Sequence, residues 1–116
     1  MTDAAAANRL TIDIDRAGDT AVVRCRGKLV VGVNHFLYLK VSELIPNHKR
    51  IVLDLTDLTF MDSTGLGTLV RVYVATKSAG CSLELINLGK RIRELLGIAN
   101  VLSVFTIVGE HNIRFH

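Results

Sequence analysis

Apolar and polar positions alternate through "LTIDID" at 10–15 and again through "AVVRCRG" at 21–27. Between them stands Ala17-Gly18-Asp19, a turn signal, so the pair predicts a β-hairpin. Over 35–45, "HFLYLKVSELI", the period lengthens: Phe36, Leu37, Leu39, Val41, Leu44 and Ile45 give a helix one mostly apolar face, and Pro46 stops it. "IVLDL" at 51–55 is apolar and partly β-branched, the composition of a strand buried in a sheet covered by helices. A short polar linker then leads to Asp62-Ser63-Thr64-Gly65-Leu66-Gly67.

The segment that follows satisfies two periods at once. Thr68, Val70, Val72 and Val74 alternate as in a strand, while Leu66, Leu69, Val70, Tyr73 and Val74 form a helical stripe. Length separates the two, because Ser63 to Ala79 exceeds an ordinary strand and Gly80 stands where a helix-ending glycine belongs. "CSLELIN" at 81–87 predicts a strand, and "LSVFTIV" at 102–108 the last one. Between them "GKRIRELLGIANV" predicts a helix carrying Ile92, Leu95 and Leu96 and ending at Gly97. The order β-β-α-β-α-β-α-β predicts an α/β fold: a mixed, mostly parallel sheet with an antiparallel N-terminal hairpin, since helical crossovers join parallel strands. The 116 residues read as one domain, with no repeat or linker to divide them.

Composition narrows the function classes. With 49% hydrophobic and 22% charged residues the chain has enough apolar surface to offset the entropy of ordering, which excludes disorder. Four Phe, two Tyr and no Trp do not make a stacking platform for single-stranded nucleic acid. The net charge of +3 is scattered, with small clusters at Lys49-Arg50 and Lys90-Arg91-Ile92-Arg93, so no direct nucleic-acid partner is expected, although an acidic protein surface would suit them. Cys25 and Cys81 lie in apolar runs without a CxxC or Cys/His spacing and read as buried thiols in a reducing compartment. "MTDAAAANRL" lacks the pattern of a secretory signal. No stretch approaches the roughly 18 apolar residues of a membrane span, and the best candidate, Leu66 to Ala75, is interrupted by Arg71. A cytoplasmic protein is expected.

The candidate chemistry lies in "DSTGLG". At the mouth of a helix the Ser63 hydroxyl is surrounded by backbone N–H groups and the positive end of the dipole, where a phosphate is well placed. Alternatively, Asp62 or Ser63 only caps the helix while Gly65 and Gly67 permit close packing. Catalytic readings have less support. The stretch is not a G-x-S-x-G elbow, no Gly-Lys-Ser/Thr follows the glycines, and the dinucleotide pattern is incomplete. His35, His48, His111 and His116 have no metal-ligand spacing. No catalytic residue, metal or cofactor is expected.

"IVLDLTDLTFMDSTGLGTLV" resembles the signature of the STAS domain family, in particular the bacterial anti-sigma factor antagonists, in which such a strand delivers Asp-Ser-(Ser/Thr)-Gly-Leu-Gly to the start of a helix. The similarity continues through "AGCSLELINLGKRIRELLGIANVLSVF" and spans about residues 8–108. It implies a partner-switching regulator. Its unphosphorylated form binds an anti-sigma factor, typically also a serine kinase of the GHKL class, and so releases a sigma factor; a serine phosphatase would reverse the modification. Ser63 matches the phosphoacceptor, with Thr64 the lesser candidate, and Asp62 matches the preceding acid. The partner surface implied is Phe60, Met61, Asp62, Ser63, Thr64, Gly65, Leu66 and Gly67, together with the exposed side of the following helix.

Two departures accompany the resemblance. Many antagonists carry Gly-Glu-Leu-Asp after the second strand, where this chain has Gly27-Lys28-Leu29-Val30, and many continue into a C-terminal helix where only "GEHNIRFH" follows. Two further readings therefore stand beside the switch. One is a STAS scaffold in a signalling or lipid-transport assembly, with "DSTGLG" making a fixed contact. The other is a small-molecule or nucleotide sensor using the helix mouth as an anion site. The apolar run Leu29 to Val33 and the edge strands are a candidate homodimer surface.

Overall fold

Gly18 takes φ +62°, a conformation glycine adopts without steric cost, and with Asp19 it reverses the chain between β1 (Leu10–Ala17) and β2 (Thr20–Leu29). The two strands pair antiparallel from Ala17 opposite Thr20 to Leu10 opposite Gly27, as the alternation predicts. A computed structural model describes residues 9–108 of the chain. The "GEHNIRFH" segment and the N-terminal "MTDAAAAN" lie outside the described residues, so the expectations of no leader and no C-terminal helix fall there.

Beyond the hairpin come α1 (Asn34–Leu44), a 3-10 turn at Ile45–Asn47 with Pro46 near its start, β3 (Arg50–Met61), α2 (Ser63–Ser78), β4 (Ser82–Ile86), α3 (Lys90–Ile98), a 3-10 turn at Leu102–Val104 and β5 (Thr106–Val108). The strands stand in the order β1-β2-β3-β4-β5, and every pair after the hairpin is parallel. Because each crossover carries a helix and moves one strand further along the sheet, right-handed connections place all three helices on one face.

Strand alternation matches that arrangement. Ala21, Val23 and Cys25 of β2, Ile51, Leu53 and Leu55 of β3, Leu83 and Leu85 of β4 and Ile107 of β5 are buried and meet Leu37, Val41 and Leu44 of α1, Leu69 and Val72 of α2 and Ile92 and Leu96 of α3. Each fully buried aliphatic side chain in such a layer contributes about 1.5–3 kcal/mol. The opposite face carries charge: Arg24 pairs with Asp15 and Asp54, Arg26 with Asp13, and Arg50 with Glu84 at 2.7 Å.

Four expectations shift at the level of local structure. The polar stretch Thr56 to Thr59 belongs to β3, which keeps pairing with β2 as far as Leu29 opposite Met61 across two register shifts. The segment after Ser63 is a helix, but its buried residues are Gly65, Thr68, Leu69, Val72 and Thr76, leaving Tyr73 half-buried and Val74 exposed. Gly80 does close it, at φ +73°, with its N–H on the Lys77 carbonyl. Gly97 does not end α3; the helix runs through it and Asn100, at φ +62°, takes the left-handed position instead. The last strand is Thr106–Val108, since Leu102–Val104 turns to bring Phe105 into the core.

Candidate functional site

The C-terminal ends of β2 and β3 lie side by side, and the candidate site forms where both chains leave the sheet. Asp62 caps α2 in an extended conformation. Its Oδ1 accepts the Gly65 N–H at 2.9 Å, and its Oδ2 accepts the Val31 N–H at 3.0 Å from the β2–α1 loop. Its own N–H donates to the Leu29 carbonyl at 3.3 Å. One residue thus ties the first turn of α2 to the loop after β2. Partial burial pushes the Asp62 carboxyl up, but the N–H groups of Val31, Gly65 and Thr64 outweigh it and hold the group below its ordinary value.

Gly65 is buried against that same loop. A Cβ at this position would collide with the Leu29 carbonyl oxygen, whereas one at Gly67 would meet nothing. Close packing therefore requires the first glycine and not the second. A further link comes from Asn34, whose Nδ2 donates to Thr68 Oγ1 at 2.9 Å while that hydroxyl donates to the Thr64 carbonyl at 3.1 Å.

On this frame Ser63 is the first residue of α2 and is exposed, as are Thr64 and Gly67. Leu66 and Phe60 are half-buried and Met61 is buried. The mouth of the helix is not open to an anion in the way the sequence suggests: the Thr64 and Gly65 N–H groups already face the Asp62 carboxylate. Beside Ser63 runs a groove of about 370 Å³ lined by Phe60, Met61, Leu66, Arg91, Leu95 and Ile98, among others. Ile98 is 82% exposed, and the Arg91 guanidinium lies 5.4 Å from the centre of the Phe60 ring.

The α3 wall of this groove is absent from the sequence reading. Its only signal was the excess of apolar positions on α3: Ile92 and Leu96 face the core, leaving Leu95 and Ile98 off that stripe. The basic cluster divides there too, with Arg91 in the groove. The candidate dimer run Leu29 to Val33 is largely interior, since Leu29, Val30 and Val33 are buried, and of its apolar side chains Val31 alone is exposed. Val30, standing where antagonists carry an acid, packs in the core, and its carbonyl accepts the Val33 and Asn34 N–H groups that start α1.

Among the described residues no group of three His, Cys, Asp or Glu side chains could hold a metal ion, and no helix is long and apolar enough to cross a membrane. Both cysteines are free and buried. Burial, helped by the charge of Asp54, pushes the Cys25 thiol up to about 12.

The STAS domain profile matches residues 11–112, nearly the whole chain. The chain belongs to the STAS domain family. It is 29% identical over 98 residues to the anti-sigma-B factor antagonist of Bacillus subtilis, covering 84% of this chain and 90% of that one. The fold also matches the anti-sigma factor antagonist SpoIIAA in its unphosphorylated form, with a TM-score of 0.73, 19% identity and coverage of 87% and 90%. SpoIIAA of Bacillus in the phosphorylated form matches with a TM-score of 0.68 and 19% identity, over 87% of this chain and 94% of that one. The hairpin-first, otherwise parallel sheet described above is the STAS arrangement.

Proposed function

We propose that this STAS domain is an anti-sigma factor antagonist that docks an anti-sigma factor through the first turn of α2 and the adjoining groove, and is switched off by phosphorylation of Ser63. The anti-sigma factor would itself be the GHKL-type serine kinase, with a serine phosphatase restoring the active form. The observation that carries this reading is the exposed Ser63 hydroxyl on a rigidly capped helix start, beside an apolar groove with Ile98 on its rim. A phosphate there adds about −1.5 to −2 charge next to Asp62. Bulk and charge at this point oppose an apolar partner side chain without requiring the helix to unfold. Thr64 is also exposed and is the second candidate acceptor.

The test is calorimetric titration of the full chain with the anti-sigma factors of its own cell, followed by incubation with ATP and peptide mass mapping. Binding by the native protein, a loss of at least about tenfold in Ser63→Asp or Ile98→Asp, and one added phosphate on Ser63 are expected. Failure to bind any anti-sigma factor would sink the docking reading. Binding with Ser63 left unmodified would favour the second reading, a constitutive STAS scaffold, to which Lys28 and Val30 in place of two acids lend support.

A further inference from the structure

A phosphate on Ser63 meets an unusual setting. Helix starts normally accommodate phosphate through unpaired N–H groups and the dipole. Here the Thr64 and Gly65 N–H groups are engaged by the Asp62 carboxylate, and the Leu66 N–H by the Asp62 carbonyl at 3.0 Å. A second anion placed beside Asp62 needs a cation from elsewhere.

Several cations of the fold are already committed. Arg24, Arg26 and Arg50 pair with carboxylates on the open face. Arg71 lies over the Tyr38 ring, 4.2 Å from its centre, further along α2, and Lys77 lies near Tyr73. Arg91 differs from these in position and in partner. It is exposed, it lines the same groove as Ser63, and among the described residues its guanidinium has the Phe60 ring and no carboxylate as partner.

Resting on the reading of Ser63 as the phosphoacceptor, we infer that Arg91 is the counter-charge of the phosphorylated state, its guanidinium bridging from α3 to the phosphoserine across the groove. The planar fork of an arginine matches phosphate oxygens with two parallel hydrogen bonds, which a flexible ammonium does not reproduce. The bridge would cross the space between Leu66 and the Leu95–Ile98 wall, so the modification closes the groove as well as charging its edge. Arg91 is a positioning residue for the modified state and takes no part in transferring the phosphate.

Phosphoserine installed at position 63 during synthesis of the full chain makes the test independent of any kinase. Phosphorus NMR titration then reads the second ionisation of the phosphate, ordinarily near pH 6. A guanidinium in contact stabilises the dianion, so this pKa is expected to be lower in the otherwise native chain than in Arg91→Gln by about half a unit or more. Lys90→Gln, which removes a neighbouring charge of the same sign, is expected to leave it within about a tenth of a unit of the native value. Equal values in the native chain and Arg91→Gln, or an equal rise in Lys90→Gln, would overturn the inference. Because no partner enters the measurement, that outcome leaves the docking proposal standing, and a failed docking assay leaves this one standing.

Discussion

The open face of the sheet and the rim at the ends of β2 and β3 handle charge in opposite ways. On the face, acids and bases alternate across β1, β2, β3 and β4 and pair with one another; Asp54 alone accepts from the Thr56 N–H at 3.0 Å and the Asn87 amide at 3.3 Å, with Arg24 3.6 Å away. Partial burial pushes that carboxyl up, yet Thr56, Asn87 and Arg24 together keep it below its ordinary value. On the rim Asp62 is consumed by backbone donors, while Arg91, Ser63, Val31 and Ile98 point outward. A surface whose charges answer each other needs no partner, and one that leaves apolar side chains and a cation exposed invites one.

Substitutions should separate the two regions, and the largest effect belongs to the rim. Gly65→Ala forces a methyl group into the Leu29 carbonyl, and backbone cannot give way as a side chain can. It is expected to cost about 3 kcal/mol in chemical denaturation. Gly67→Ala, two residues on with open space around it, is expected to gain a few tenths to about 1 kcal/mol, as glycine-to-alanine changes within helices do. A gain at both positions would show that helix propensity, and not the approach to β2, sets the requirement.

Next in size is Asp62→Ala, which removes the cap of α2 and the tie to Val31, with an expected cost of about 2 kcal/mol. Its pH dependence has a definite sign. The folded carboxyl lies below its ordinary value, so the unfolded chain takes up the proton first. The contribution of Asp62 is complete above the unfolded pKa of about 3.9 and fades as pH falls through the folded value. Denaturation curves of native protein and Asp62→Asn should therefore converge below that pH. A gap that persists unchanged into acid would assign the cost to shape and not to charge.

The smallest effect is expected on the open face. Arg50→Ala breaks the pair with Glu84, but both ends see solvent, and screening keeps such pairs under about 1 kcal/mol. Partner binding should not change. A tenfold loss of docking in Arg50→Ala would remove the distinction between face and rim.

Why the first region was more legible than the second follows from range. Alternation in "LTIDID" and "AVVRCRG" reports which face of a strand is wet, and that local fact determines the hairpin and the layer it covers. The serine at the helix start was equally local, since the cap beside it acts within a few residues, from Asp62 to the Gly65 N–H. By contrast, Thr56 to Thr59 read as a linker because polar residues at the tip of a long strand look like loop, and only the pairing with β2 keeps them extended. Gly97 misled because a glycine inside a short helix and one closing it leave the same letter, and Asn100 met the conformational need. The groove wall was beyond reach for a different reason: Arg91 and Ile98 come to Ser63 only through the crossover of β4 and α3, a distance in sequence that periodicity does not span.

The hold of Asp62 on both the helix and the loop after β2 has one more consequence. The serine is displayed by three chain segments that meet only when the sheet has formed, so a short peptide copying 58–68 would carry the letters without the surface. Whatever recognises Ser63 in this setting inspects the fold before it acts. Misfolded copies would be invisible to it, and a phosphate placed on Ser63, as proposed, would double as proof of quality.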